Sequence, residues 1–164
     1  MNKAKLIKEA KRIEEDALYS AKGHFNNSSS WATVHYWLGV PSAVASALSG
    51  TSALAKFPYH EYVAGGLAIL AAVLTGVMTF VNPREKSTAH LNAGNKYNSL
   101  RNRARIFYEI EVDNLNIDKA IEKLNTLSET RNGLNEKSPQ VSRKSFEKAR
   151  RGIEEGEAEY KADK

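Results

Sequence analysis

Twenty consecutive residues from Tyr62 to Val81, YVAGGLAILAAVLTGVMTFV, carry no charge, and no other feature narrows the possible folds as far. At about 1.5 Å per residue, a helix of that length covers roughly the 30 Å hydrocarbon core of a bilayer. A small soluble bundle has too little protein to wrap such a helix on every side. The run is therefore read as a transmembrane helix. Trp31 to Ala55 is also uncharged and long enough to span, although Ser, Thr and Gly dilute it. Trp31, Tyr36 and Trp37 at one end, with Phe57 and Tyr59 just past the other, have the placement of interfacial aromatic belts. The two spans, 31–55 and 62–81, then form a hairpin joined by a short exterior turn over 56–61. Pro58 suits that turn because its fixed φ and missing N–H do not continue a helix.

The charges crowd into what lies outside the spans. Six Lys and Arg precede the first span, 17 follow the second, and only Lys56 lies between them. That asymmetry predicts both termini on the cytoplasmic side, in a bacterium the cytoplasmic face of the inner membrane. The net charge of +5 over 164 residues is spread too evenly along the arms to mark a nucleic-acid surface, so no nucleic acid is expected as a partner. Residues 1–22 mix charged and apolar side chains from the start, unlike a signal peptide. With no Cys, the chain has no disulfide framework, thiolate metal site or cysteine nucleophile.

Small residues recur at helical spacing in both spans: Gly39, Ala43, Ala47 and Gly50 in the first, and Ala68, Ala72 and Gly76 in the second. Such residues let helices approach closely in lipid, and these faces are predicted to pack helix on helix. Leu67, Leu70, Leu74, Val77 and Val81 form the bulkier side expected to face lipid. Ser42, Ser46 and Ser49 share one stripe of the first span. Their hydroxyls either bond backbone carbonyls and neighbouring helices or line a water-filled path in an assembly of several copies. Pro41 introduces a bend or hinge. Neither span holds Asp, Glu, Lys or Arg, which argues against a coupled transporter, pump or voltage sensor.

The arms read as cytoplasmic helices. Over 1–25, Leu6, Ala10, Ile13, Ala17 and Ala21 make one apolar stripe, with Glu14, Glu15 and Asp16 on or beside the other side. Asn82-Pro83-Arg84-Glu85 has the order of a capping box with Pro at N1, starting a helix that is expected to run to about Val112. Within it, His90, Ala93, Tyr97, Leu100, Ala104 and Phe107 alternate spacings of three and four, as in an a/d seam. That seam is predicted to pack on the N-terminal helix or on the same helix of another copy. A further helix through Ile117, Ile121, Leu124 and Leu127 closes at Gly133. After Ser138-Pro139, Val141 and Ser142 open a last helix through Phe146, Ala149 and Ile153.

Arg101 and Arg105 share a helix face. They are candidates for holding anionic headgroups or an anionic ligand such as a nucleotide, although charges that only set topology beside a membrane are the favoured reading. The four His residues lack metal-ligand spacing, and no nucleotide-loop, hydrolase or metalloprotease motif is present. Neither catalysis, a cofactor nor a metal is expected.

The residues Ile13-Glu14-Glu15-Asp16, Lys22-Gly23-His24-Phe25, Trp31, Leu38-Gly39-Val40-Pro41, Gly50-Thr51 and Asn82-Pro83 form a familiar series. With the segment from His90 through Ala93-Gly94, Tyr97, Leu100-Arg101 and Arg105, the chain resembles the SLATT family. These are two-transmembrane effector domains associated with bacterial nucleotide-signalled and other conflict systems. The tail around Ser138-Pro139 and Phe146 to Ile153 fits too, so the resemblance spans 1–164 as a single domain. It implies a pore-forming or membrane-disrupting effector that acts in anti-phage defence, ending in growth arrest or cell death. The trigger is left to an upstream sensor protein, a nucleotide signal or a change in membrane composition.

The expected architecture is all-α: a two-transmembrane hairpin carrying a cytoplasmic helical bundle, 83–164 with 1–25. Membrane lipids and further copies of the chain are its expected partners, since one hairpin does not enclose a channel. In that reading Ser42, Ser46 and Ser49 face the path, while His90, Ala93, Tyr97, Leu100 and Ala104 hold or switch the assembly. The alternative is a non-conducting scaffold or sensor that recruits a partner through the bundle.

Overall fold

The computed structural model describes residues 3–160. They are all-helical, with no strand among the described residues. Helix α1 runs Lys3–Leu54 as one element, α2 His60–Val81, α3 Pro83–Ile106, α4 Ile117–Lys137 and α5 Arg143–Glu154. The chain divides into two compact units, residues 1–28 with 88–164, and Ser29–Ser87.

The continuity of α1 departs from the sequence pattern, in which the polar run Asn26–Ser30 separates an arm from a span. Asn and Ser are indifferent helix formers because their side chains compete for backbone groups. Here those side chains are engaged elsewhere: Asn26 donates to the Ser145 carbonyl and Asn27 bonds both His90 and Ser142. Tertiary partners thus remove the competition, and the helix passes through. Pro41 also lies inside α1. It removes only the N–H that would have reached the Trp37 carbonyl, and the helix continues on both sides.

Asn82 closes α2 in the left-handed region, at φ 46°, which Asn tolerates better than most residues. Its N–H reaches the Met78 carbonyl at 3.0 Å, its Oδ1 accepts from the Glu85 N–H at 3.4 Å, and its Nδ2 donates to the Glu85 carboxylate. Half of the capping box expected over 82–85 is therefore formed: Asn82 caps the Glu85 N–H, but the Glu85 carboxylate returns to the Asn82 side chain, because the Asn82 N–H is taken by Met78. Beyond Ile106, α3 does not continue to Val112 as a regular helix. A π-helical turn, Phe107–Glu111, leads into a 3-10 turn, Val112–Asn114. Two side chains five residues apart diverge on an α-helix, whereas the wider turn brings both Phe107 and Val112 into the core.

Helix α4 passes through Gly133 and ends at Lys137, four residues later than the sequence predicts. Gly133 is tolerated mid-helix because its backbone remains helical; the stop comes where Pro139 follows Ser138. At the start of α5, Ser142 accepts from the Ser145 N–H as N-cap.

The core of the first unit is one cluster. Leu6, Ala10, Ile13, Ala17 and Ala21 of α1 meet Tyr97, Leu100, Ala104 and Phe107, with Ala120, Leu124 and Leu127 of α4 completing it. Many of these contacts are made by alanine, so helix backbones lie close together. Gly94 shows how close: a Cβ there would fall 2.7 Å from the Phe25 ring. Charges pin the outside of the cluster. Tyr108 donates to Glu14 at 2.7 Å, Arg101 lies 3.5 Å from the same carboxylate, and Arg131 pairs with Asp16 at 3.2 Å. Two of the three acids over 14–16 thus tie α1 to its neighbours instead of only facing solvent.

Candidate functional site

In the second unit, two hydroxyls of α1 bond carbonyls of α2. Ser42 donates to the Ala71 carbonyl at 3.2 Å and lies 2.7 Å from the Thr75 hydroxyl; Ser49 donates to the Ala64 carbonyl at 2.8 Å. As the position on α1 rises from 42 to 49, its partner on α2 falls from 71 to 64, so the helices run side by side in opposite directions. Ser46 instead bonds back to the Ser42 carbonyl at 2.9 Å. Ser42 is buried between the helices, while Ser46 and Ser49 border an open groove with Thr75, Thr79 and Gly76.

The surface joining α1 to α2 is not the one richest in small residues. Ser42 and Ala45 of α1 and Ala64 and Ala71 of α2 are the buried positions, with Leu67, Leu74 and Met78 partly covered. Ala43, Ala47, Gly50, Ala68, Ala72 and Gly76 are exposed; of the three glycines among the expected packing residues, Gly39 approaches the opposite helix, where a Cβ would meet Met78 Sδ at 3.6 Å, while Gly50 and Gly76 have nothing within 4 Å. Of the five residues expected on the bulky outer side, Leu70 and Val77 are exposed, whereas Leu67, Leu74 and Val81 are partly buried. Two stripes of α2 carry small residues at helical spacing, and the one through Ala64 and Ala71 is buried where Ser42 meets the Ala71 carbonyl.

Large apolar side chains stand uncovered around this unit. Trp37 is 74% exposed, Ile69 68%, Val73 57% and Phe80 92%. Among the described residues, one helical run, starting at His60, is long and apolar enough to cross a membrane, with a mean hydropathy of 2.1 over its most apolar window. At one edge, the Lys86 ammonium lies over the Trp31 ring, 4.6 Å from its centroid.

The seam residues His90, Ala93, Tyr97, Leu100 and Ala104 are all buried. Their partners are in the chain's own bundle: His24 contacts His90 and Tyr97, while the α1 stripe covers Leu100 and Ala104. Arg101 and Arg105 line a small pocket of about 270 Å³ with Glu14, Tyr108, Glu109 and Tyr160. Both guanidinium groups lie over the Tyr160 ring, at 5.2 and 4.9 Å, and Arg101 also donates to the Ala158 carbonyl. Three carboxylates, those of Glu14, Glu109 and Glu159, border the same pocket, which reduces its attraction for an anion. Burial, followed by the hydrogen bond to Glu14, pushes the Tyr108 phenol up and keeps it protonated.

One cluster had no counterpart in the sequence reading. His24 and His90 are 66 positions apart, yet their Nδ1 atoms approach to 2.9 Å, and Asn27 and Ser142 extend the contact. Burial first, and then His90, push His24 down to about 4; burial also lowers His90. The available signal was weak: both histidines sit in register with apolar stripes, His24 three residues after Ala21 and His90 at the head of the seam. No group of three or more metal-ligating side chains occurs among the described residues.

An all-helical chain with a bilayer-length apolar helix and uncovered apolar side chains along it has the make-up of a membrane-associated helical protein. The model of the SMODS and SLOG-associating 2TM effector domain family 4 matches residues 6–164, and the chain belongs to that family. The resemblance read from its packing residues therefore holds over nearly the whole chain. No curated protein and no solved structure matches it.

Proposed function

We propose that the protein is a membrane-embedded effector whose helices over 31–55 and 62–81 cross the bacterial inner membrane as a hairpin. Both termini are cytoplasmic, and several copies assemble into a pore or a membrane-disrupting patch that arrests growth or kills the cell in anti-phage defence. The observation that carries this reading is the belt of exposed Trp37, Ile69, Val73 and Phe80 around a unit in which Ser42 and Ser49 hydrogen-bond the facing helix. In water such a belt would drive aggregation; in lipid it is the expected solvent-facing surface.

Assembly is supported by the exposed small-residue faces, Ala43, Ala47 and Gly50 on α1 and Ala68, Ala72 and Gly76 on α2. Small residues without a partner in the same chain favour close helix contact with a neighbour. Ser46, Ser49, Thr75 and Thr79 would then supply hydroxyls beside the path, while Ser42 holds the hairpin. The seam from His90 to Ala104 would influence assembly by opening or closing the arm bundle that buries it.

Inducible expression in a bacterium, with membrane potential and dye entry followed together, tests the proposal. Rapid depolarisation is expected from the intact chain and not from a variant carrying Ile69→Lys and Val73→Lys. An intact potential despite confirmed insertion, with binding of a partner that depends on the arms, would replace it with the scaffold reading.

A further inference from the structure

One chain of hydrogen bonds linking α5 to α1 and α3 runs in a single direction through four residues. Ser142 donates to Asn27 Oδ1 twice, from its hydroxyl at 2.7 Å and its backbone N–H at 3.4 Å. With its oxygen so occupied, Asn27 presents Nδ2 to His90 Nε2 at 2.8 Å. An amide nitrogen only donates, so His90 Nε2 accepts, and the proton of the neutral ring sits on Nδ1. That Nδ1–H donates to His24 Nδ1, 2.9 Å away, which leaves the proton of His24 on Nε2.

A further proton has no acceptor at the two ring nitrogens that accept. On His90 Nε2 it would meet the Asn27 amide hydrogens, and on His24 Nδ1 it would meet the His90 Nδ1–H. Both rings are buried, so water does not relieve the conflict. Asn27 from α1 and Tyr97 from α3 lie against the pair, and Ser142 from the start of α5 lies behind Asn27. Tyr97 stacks on His24 with ring centroids 5.4 Å apart, and burial raises its phenol, so it stays neutral. No carboxylate enters among the causes that shift either histidine.

Helix α5 is held with little apolar bulk. Its buried residues are Ser145, Ala149 and Gly152, and Phe146 is half-exposed beside Tyr19. Besides the polar chain, the Asn26 amide, which donates to the Ser145 carbonyl at 3.2 Å, and Val141 beside Gly23 seat its N-terminus, so loss of the chain would loosen that end without removing every contact.

We propose that Ser142, Asn27, His90 and His24 form a proton-operated latch: the neutral pair holds the start of α5 on the bundle, and a proton taken up by either imidazole releases it. A released imidazole titrates near its ordinary value of 6.5, whereas the latched His24 takes a proton only near 4. The latch is therefore fully held above about pH 6.5 and weakens as pH falls toward 4, by up to about tenfold per pH unit for each histidine. Coupling of this release to membrane permeabilisation rests on the effector reading above; the latch itself does not.

The test uses the full chain in detergent micelles with nitrogen-15-labelled histidine. At pH 7.5, magnetic resonance is expected to find two neutral rings of opposite tautomer, Nδ1–H for His90 and Nε2–H for His24. Hydrogen exchange over 142–154, corrected for its intrinsic pH dependence, is expected to quicken at least tenfold between pH 7.5 and 5, while amides over 97–104 keep their protection. Asn27→Asp supplies an acceptor for a doubly protonated His90 and should move the release to lower pH by a unit or more. Identical tautomers in the unsubstituted chain, or exchange over 142–154 that does not respond to pH, would overturn the latch. So would a folded Asn27→Asp variant that opens at the same pH as the parent.

Discussion

The two units solve opposite packing problems. Residues 1–28 with 88–164 bury their apolar side chains, with Ile13, Leu100, Phe107 and Val112 almost fully enclosed, and turn charge outward. Ser29–Ser87 buries mainly Ser42, Ala45, Ala64 and Ala71, and leaves large apolar groups outside. The first arrangement is that of a protein folded by expulsion of water. In the second, hydroxyl-to-carbonyl bonds and small-residue contacts hold the helices, the means available where the surroundings are as apolar as the side chains. The comparison teaches that burial within the chain and hydrophobicity are separate quantities, and that their mismatch in the second unit marks a different expected solvent.

The sharpest way to break this comparison is to charge an exposed site. Ile69→Lys with Val73→Lys removes little packing, and in water each exposed change would alter stability by less than about 0.5 kcal/mol. In a bilayer each lysine costs about 2.5–3.5 kcal/mol near the centre, so the double variant is expected to lose insertion, read by membrane fractionation. In the other unit, Phe107→Ala should cost about 3–5 kcal/mol in denaturant unfolding of the micelle-bound protein, because a buried ring leaves a cavity. Glycines sharpen the contrast. Gly94→Ala meets the Phe25 ring and is expected to destabilise by about 1–3 kcal/mol, whereas Gly50→Ala has nothing within 4 Å and should be neutral or slightly stabilising. The smallest expected loss is from Ser42→Ala, about 0.6 kcal/mol for an interhelical hydrogen bond in a membrane setting, measured by a double-mutant cycle with Thr75→Val.

Much of the arm unit was legible because its signals are local. The spacing of Leu6 to Ala21 and of His90 to Phe107 identifies the buried faces, and Ser142 forms a cap where a capping residue precedes apolar periodicity, as Asn82 does in the other unit. The passage of α1 through Asn26–Ser30 was not legible, since the stabilising partners, Ser145, His90 and Ser142, lie more than 60 residues away. Nor does helical spacing choose between two small-residue stripes on α2. That choice is made by the packing of α1 on α2, where Ser42 and Ala45 are buried with Ala64 and Ala71. The π-helical turn escaped for a related reason: its role is to bring Phe107 and Val112 to one core, a three-dimensional requirement with no local residue code.

The alanine stripe of α1 has a consequence for how this protein can vary. Ala10, Ala17 and Ala21 are almost wholly enclosed, and no side chain smaller than alanine exists except the hydrogen of glycine, which weakens a helix interior. Nearly every replacement there adds volume where neighbouring backbones leave none. The face is bounded from below: drift in size can go only upward, and each upward step must be matched by a shrinking partner on α3 or α4. Change on this surface would therefore be expected in compensating pairs, with single replacements filtered out by the close approach that the alanines permit.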